Sequence, residues 1–535
     1  MSGAASEKCF SRVAATPVGP LCSSLGDFLG GGEEPTFFKD VYGGARSSAE
    51  RAARTLQKAC EEFLAVYGDM PVHVIRSPAR VNLRGMHIDN NGGYTNSICV
   101  DREIFIVFAP RPHDGGPLVR LRNLDDTFQP KEVEVPQKVT EDDVKQSPGW
   151  SKYVAGAILA AEQVAGLREW PRGLCGIVGS SCPAGVGLSS SHAFVLCILS
   201  ALFEVSGAFD NGIDPVLELQ TAQRTEHLAG VKSGLMDQGS MIFGQKGKML
   251  HGRFYDLKMQ EIPSTISCCP WPDDCAVVVA NSKVVRELAN GDTAIEYALP
   301  RLGCAIAVPV LRSDAERRGL SPEDMMSWGL ETTLSLLKAV PAAATAAELI
   351  KAFPDREKDI QASVQRFIPG GMQGLGDRLI PLRGSTIFTL AESARGKEFK
   401  TALEQGDLRR CGELMDVGHE GDAVDGQLHI SDEDLDEMTK SYGAKGLAFI
   451  PGAFRAGHKR LDELCVALRG AGAEGASLTG AGRGGCVVGL FSSGERAAAA
   501  AAALRKEFPD LSEQDVFVVS VPVEGRAFLD ISGTL

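Results

Sequence analysis

Three segments of the 535-residue chain collect residues with chemical potential at close spacing. The first, CPAGVGLSSSHA at 182–193, sets Gly185 and Gly187 ahead of Ser189, Ser190 and Ser191, which open a long apolar run. A glycine-rich loop entering a helix presents free N–H groups and the positive end of the helix dipole, a seat for phosphate, and serine hydroxyls can also ligate magnesium. A serine helix cap reads the same residues without a ligand. The second, EHLAGVKSGLMDQGS from Glu226, sets Asp237 in a loop-like run beside glycines. Phosphoryl transfer needs an acid to accept or orient a hydroxyl proton and cations to hold the moving phosphate. Asp237 suits the acid, Glu226 a magnesium ligand, and Arg80 or Lys232 the cation. Singly, each is more simply a surface ion pair or a cap; the combination points to chemistry. The third, SPARVNLRGMHIDNNGG at 77–93, begins as a buried strand, offers Arg80, Arg84, His87 and Asp89, and ends in an Asn-Asn-Gly-Gly turn signal.

A fourth stretch, TGAGRGGC at 479–486, satisfies the dinucleotide fingerprint through Gly480, Gly482 and Gly485. A strand, CVVGLF, follows it where that fingerprint needs a helix, and too little chain remains for a dinucleotide unit. A tight turn lining an active site fits better, and a glycine-rich hairpin is the plain alternative. No Walker loop occurs: GQKGKML has Met where Ser or Thr would hold magnesium. The protein-kinase motif set is also missing. ATP, if bound, is bound by another design.

These segments need elements to position them. Residues 46–67 are predicted as an amphipathic helix stopped by Gly68, VHVIRSPARVNL as strand–turn–strand, and REIFIVFAPR as a central strand. A helix is predicted from about Trp150, a strand into the first glycine loop, then the apolar helix around AFVLCILSALF. Helix resumes over about 214–229, and MIFGQKG is predicted to return to strand. DCAVVVANS reads as a buried strand, KVVRELANGDTAIEYALPRLGCAIA as helix broken near Gly291, and 308–440 as largely helical. RAGHKRLDELCVALRG and AAAAAAALRKEF read as helices, and DVFVVSVPVEG as a closing strand. The class is α+β or α/β.

Fifty-five Lys and Arg against 69 Asp and Glu give a net charge of −14, which argues against nucleic acid or an anionic membrane as the main partner. A locally positive pocket for a small anion remains compatible with it. The run Ala193–Phe203 is too short to span a bilayer, which needs about 20 residues. Fourteen cysteines without a CxxC pair suit reduced thiols in a cytoplasmic compartment. The first 45 residues, rich in Gly, Ser, Pro and Ala, are expected to be a poorly ordered extension; a transit peptide is the alternative, weakened by Glu7 and Asp27.

Taken together the motifs resemble the GHMP small-molecule kinases, the family named for galactokinase, homoserine kinase, mevalonate kinase and phosphomevalonate kinase, and within it the galactokinase branch. SPARVNLRGMHIDNNGGY resembles the galactokinase signature, PAGVGLSSS the ATP-phosphate loop, SGLMDQ the run with the catalytic aspartate, and LTGAGRGGC the third motif. NSKVVRELANG and GDLRRCGELMDVGHEG are weaker likenesses, and the match runs over roughly 46–535 with a poor middle at about 305–380. The resemblance implies an α+β fold of two domains, 46–255 and 256–535, with the active site in the cleft between them. It implies an ATP- and magnesium-dependent sugar 1-kinase, with ATP and a monosaccharide as its partners, and the expected assembly is a monomer or weak homo-oligomer. By resemblance Asp237 takes the proton of the anomeric hydroxyl and Arg80 assists transfer. Pro183, Gly185, Gly187, Leu188, Ser189, Ser190 and Ser191 hold the ATP phosphates, with Gly480, Gly482 and Gly484 shaping the site. Ser191 or Ser190, with Glu226, holds magnesium, and Met86, His87, Asp89, Asn91 and Gly92 face the sugar.

Met86 departs from this pattern, because galactokinases carry a glutamate there that contacts the sugar C6 hydroxyl. A thioether is a weak acceptor, so the expected substrate is galactose or a galactose-like sugar altered at C6, with L-arabinose or D-galacturonate as alternatives. Arg84 is the candidate partner for a galacturonate carboxylate. Further departures are His192 after the serines, Ser477 where arginine is common, and Thr293 or Tyr297 near an expected sugar-contacting tyrosine. A non-catalytic sugar and ATP sensor is the alternative of a different class; intact Arg80, Asp237 and the serine loop oppose it.

Overall fold

The computed structural model describes residues 14–532 except 89–91, 113–115, 184, 212, 232, 255–257, 285–290, 322–327 and 425–428. The chain forms two units, each mixing helix and sheet. One holds the chain up to Val81, Ser97–Trp271 and the stretch from Val521; the other holds Asn82–Asn96 and Pro272–Ser520. The expected division at 255/256 is therefore corrected. Strand Ser267–Pro270 pairs with Lys248–Arg253 and keeps the chain in the first unit to Trp271. Near the C-terminus, Ala527 and Phe528 pair with Arg76 and Ile75, and Arg76 donates to the carbonyls of Glu524 and Gly525, which returns that stretch to the first unit.

The expectation of a poorly ordered 1–45 is also corrected over the described residues 14–45. Thr16 and Pro17 pair with Val72 and Pro71. Helices Val18–Leu29 and Thr36–Tyr42 follow, burying Val18, Leu21, Leu25 and Phe28 and then Phe37, Phe38, Val41 and Tyr42 with Leu56 and Phe63 of helix Arg46–Tyr67. The apolar spacing of three and four residues drives this burial, although glycines and serines dilute the composition around it. Residues 1–13 lie outside the described residues.

The first unit is built on a sheet in the order Thr16–Pro17, Pro71–Arg84, Tyr94–Pro112, Arg172–Ser180, Val119–Asn123, Glu132–Val135. Helices Ser151–Gln163, Ser190–Ser206 and Pro215–Leu228 share its core, where Ile106, Phe108, Ile158, Val195, Leu199 and Leu202 are buried together. Asp214 caps the last of these helices, accepting from the N–H groups of Val216 and Leu217. The strand expected at MIFGQKG begins later, at Lys248–Arg253; Met236–Phe243 is a helix with Met241, Ile242 and Phe243 buried. A short apolar run fits either conformation, and here core packing selects helix.

The second unit has a four-stranded antiparallel sheet ordered Gly475–Thr479, Cys486–Phe491, Ala276–Asn281, Val516–Val519. Largely helical chain lies between its first and second strands in sequence, as expected for 308–440. Helix Gly291–Arg317 is apolar enough by length and composition to cross a membrane, but it carries Pro300 and Pro309 and buries Leu302, Ala307 and Leu311 in this unit's core. Helices Arg383–Glu404 and Leu408–Asp422 pack on one another and bring Glu392, Arg395 and Asp422 into the interior.

Candidate active site

In the first unit the glycine loop leaves strand Arg172–Ser180, passes Pro183, and enters helix Ser190–Ser206. Gly185 and Gly187 take positive φ of 73° and 87°. Ser189, the N-cap, does the same at 61°, a conformation that costs a residue with a β-carbon about 1 kcal/mol or more. That winding is held by contacts. The Ser189 hydroxyl donates to Asp237 Oδ2. Arg80 donates through its backbone N–H to Leu188 O at 3.3 Å and through Nη1 to Gly187 O at 2.9 Å. The same guanidinium grips Asp237 Oδ1, with Nε at 2.8 Å and Nη2 at 2.7 Å.

Asp237 stands in the first turn of helix Met236–Phe243, which corrects the loop reading of this run. Burial pushes its carboxyl up, but Arg80, His192 and the Ser189 hydroxyl outweigh burial and hold it at about 2. It is thus ionised at neutral pH and weakly basic. Such a group orients a hydroxyl and accepts its proton only as that hydroxyl becomes acidic during bond formation.

Glu226, on helix Pro215–Leu228, is fully buried, and neither carboxylate oxygen has a hydrogen-bond partner. Burial pushes its carboxyl up against the pull of His192, Ser191 and Lys152. His192 Nδ1 lies 3.7 Å from Glu226 Oε1, 3.7 Å from Asp237 Oδ2 and 3.4 Å from Ser191 Oγ. Two orphaned, buried anionic oxygens beside a serine hydroxyl suit a hard cation such as magnesium. Among the described residues no group of three or more His, Cys, Asp or Glu side chains is arranged to hold a metal. A magnesium ion there would keep water and phosphate oxygens as most of its ligands. Tyr153 belongs to the same neighbourhood: burial and Glu226 push its phenol up to about 12. The sequence carried no signal for Tyr153, which lies on a helix with no motif. Lys232 is outside the described residues.

The second unit holds the other candidates. His87 has a positive φ of 61°. Its ring stacks on Phe454 at 4.3 Å and 5°, lies 6.0 Å from Phe388, and places Nε2 3.3 Å from Asp422 Oδ1. The backbone before it hangs on Glu392, whose Oε1 accepts from Gly85 N at 2.7 Å and Met86 N at 2.9 Å. Gly92 and Gly93 continue the loop at φ of 91° and 120°, and a β-carbon on Gly93 would meet Ser393 Oγ at 2.3 Å. Asp89 and Asn91 lie outside the described residues.

Two expectations are corrected here. The Met86 side chain does not project as a polar-facing contact; it is 1% exposed, in an apolar cluster with Val278, Phe388, Phe454, Leu478 and Val487. Gly85, at φ 92°, breaks the strand alternation, so direction cannot be counted onward from Arg84. Arg84 is fully buried and already engaged, with Nη1 on Leu414 O at 3.0 Å and Met415 O at 3.1 Å and Nε 3.3 Å from Glu392. It holds the fold and is not available to a sugar carboxylate. Met86→Glu is accordingly expected to lower the melting temperature by several degrees, since it buries a second acid beside Glu392, while Met86→Leu leaves it nearly unchanged. Thermal unfolding of the two variants checks this.

The third motif is the turn of a hairpin between strands Gly475–Thr479 and Cys486–Phe491. Gly480, Gly482, Gly484 and also Arg483 take positive φ, and a β-carbon on Gly482 would stand 2.1 Å from Ala456 O. Thr479 Oγ1 accepts from Asn82 N at 2.8 Å and donates to Asn82 O at 3.1 Å, tying this hairpin to the strand that precedes His87. Ser477 is buried, with no hydrogen-bond partner for its hydroxyl.

Residues 61–110 match the galactokinase galactose-binding signature, 152–245 the GHMP kinase N-terminal domain, and 399–510 the GHMP kinase C-terminal domain. A galactokinase of Roseiflexus sp. is 28% identical over 80% of this chain and 86% of its own. One of Pyrococcus furiosus is 26% identical over 84% and 98%, and that of Bos taurus 26% identical over 84% and 91%. The crystal structure of Lactococcus lactis galactokinase complexed with galactose shares the fold, with a TM-score of 0.60 at 22% identity, covering 90% of this chain and 100% of that one. The glycine loop, its buried acids and the hairpin motif fall within the matched segments, and the chain belongs to the GHMP kinase family, in which it is galactokinase-like.

Proposed function

We propose that the protein is an ATP-dependent sugar 1-kinase that phosphorylates the anomeric hydroxyl of galactose or a closely similar sugar. The observation that carries this reading is the cluster in which Arg80 and Asp237 grip each other and hold the glycine loop through Gly187 and Ser189, with His192 lying between Asp237 and Glu226. The loop N–H groups and the start of helix Ser190–Ser206 seat the phosphates. Asp237 orients the attacking hydroxyl, and Arg80 steadies the charge that develops on the transferred group. Ser191 and Glu226 would hold magnesium, which neutralises phosphate charge. His87 and Gly92, with Asp89 and Asn91, meet sugar hydroxyls. Catalysis is then mainly positioning and electrostatics, as phosphoryl transfer requires.

With Met86 in an apolar cluster and Arg84 engaged, the structural reasons for preferring L-arabinose or D-galacturonate lose weight, and D-galactose becomes the first substrate to try. The intact Arg80–Asp237 pair on the glycine loop favours a kinase over a non-catalytic sensor. A cytoplasmic enzyme, monomeric or weakly self-associating, completes the reading. ADP release should be measured with ATP, magnesium and each of D-galactose, L-arabinose, D-galacturonate, L-fucose and N-acetylgalactosamine. Turnover is expected with D-galactose above the others. A folded protein that binds ATP yet turns over none of them would overturn the kinase reading.

A further inference from the structure

Helix Val18–Leu29 runs along helix Arg46–Tyr67 in the opposite chain direction. Gly19 donates its N–H to Asp69 Oδ1 at 2.9 Å, just past the end of the longer helix, and a β-carbon on Gly26 would stand 3.6 Å from Gln57 Nε2. Cys22 and Cys60 fall between these two contacts, one on each helix. Cys60 is fully buried in the apolar cluster the helices share, and Cys22 is half-buried against the same cluster. The two thiols are hydrogen-bonded, with Cys60 donating to Cys22. That bond holds the Cys22 thiol below its ordinary value, against burial and the nearby acids Glu61 and Asp69; the same bond, with burial, pushes Cys60 well up. Cys22 is therefore the sulfur that ionises first and the one that solvent reaches, with a second sulfur already beside it. Thiols that respond to oxidants have this setting: thiolate character, exposure and a resolving cysteine at hand. Other cysteines contrast with it. Burial pushes Cys182 and Cys411 up to about 12 and Cys304 up to about 11, which leaves them as inert thiols.

We infer that Cys22 and Cys60 form a modification site, a dithiol that a hydroperoxide converts reversibly into a disulfide stapling helix Val18–Leu29 to helix Arg46–Tyr67. The Cys22 thiolate attacks one oxygen of hydrogen peroxide and the O–O bond breaks. Cys22 becomes a sulfenic acid, and the departing hydroxide takes up the proton that Cys22 gave away. The Cys60 sulfur then attacks the Cys22 sulfur and breaks its S–O bond, and the departing hydroxide takes the Cys60 proton. Two thiols lose two electrons and two protons, and one peroxide is reduced to two waters; a dithiol reductant reverses the step by exchange. The staple closes the loop between residues 22 and 60, which restricts the unfolded chain, and it fastens a helix that has no side-chain cap at its start. Neither cysteine belongs to the proposed kinase site.

The test treats the full-length reduced protein with hydrogen peroxide and reads it by peptide mapping without reduction and by thermal unfolding. The expected product is a peptide pair linked through Cys22 and Cys60, lighter by two hydrogens and released by dithiothreitol. The oxidised protein is expected to melt several degrees above the reduced one. Cys22→Ser, at a half-buried position, should abolish both the link and the rise in melting temperature. Cys60→Ala should leave Cys22 as a sulfenic acid that dimedone captures; if this buried substitution does not fold, Cys22→Ser alone carries the comparison. No linked peptide in the wild type, or Cys22 passing to sulfinic acid while Cys60 stays a thiol, would overturn the site. A Cys22–Cys60 link that leaves the melting temperature unchanged would overturn the staple.

Discussion

Asp237→Asn is expected to reduce turnover by about a thousandfold or more while ATP binding persists. The substitution keeps side-chain size and removes one charge. In the native site that charge holds Arg80 through Nε and Nη2 and accepts the Ser189 hydroxyl. The amide cannot accept a proton from the sugar, and it releases the guanidinium from its fixed direction. Losing a charged group that acts only as the transition state forms lowers kcat far more than it weakens ground-state binding. Phosphate seating depends on loop N–H groups, and removing a nearby anion does not oppose it. ADP release and calorimetric ATP binding, measured on the same preparation, check this; near-normal turnover would remove Asp237 from its role. The pH dependence has a definite sign. Because the folded carboxyl is held at about 2, below its ordinary 3.8, Asp237 adds stability at neutral pH that is lost only as pH falls through that interval. An acid limb in the rate profile near pH 5 or 6 would therefore belong to another group.

The chemistry was more legible in the sequence than the architecture. The glycines and serines of 182–191 act through their own backbone and are contiguous, so residue type alone exposes them. Asp237 stood out for the same reason, although its helix did not, because the apolar Met241–Phe243 suits strand or helix until the core is known. The unit boundaries depend on partners far apart in the chain: Arg76 with Ala527, and Asn82 with Thr479. Arg84 reads in the sequence as a candidate carboxylate partner because the acid it meets, Glu392, lies on a distant helix with no motif around it. The resemblance sets Met86 at the position of a sugar-contacting glutamate, but a thioether has no polar contact to make and packs instead in an apolar cluster built from distant strands and helices. His192 was noticed as a departure, but only the folded chain shows it facing both Glu226 and Asp237.

Glu392→Ala is expected to cause the largest loss of stability, about 3–5 kcal/mol, in a denaturant titration of the intact chain. Glu392 is fully buried between two arginines, Arg84 Nε at 3.3 Å and Arg395 Nε at 2.5 Å, and both guanidinium groups are fully buried as well. Burial pushes its carboxyl up, but Arg84, Arg395 and the Met86 N–H outweigh burial and hold it below the usual range. Its contribution is therefore present above the ordinary carboxylate pKa and is lost as pH falls through the lowered one. Removing the carboxylate leaves two buried cations with no counter-charge between them and frees the Gly85 and Met86 N–H groups. Arg84 Nη2 and Arg395 Nη2 are already without hydrogen-bond partners, and Asp422 is the other acid that acts on Arg395. Glu392→Gln should fall between wild type and Ala, since its oxygen can still receive the two N–H bonds but cannot neutralise the arginines. If Glu392→Ala unfolds with wild-type midpoint, the arginines have found other partners, and the backbone before His87 is held by something other than this buried acid.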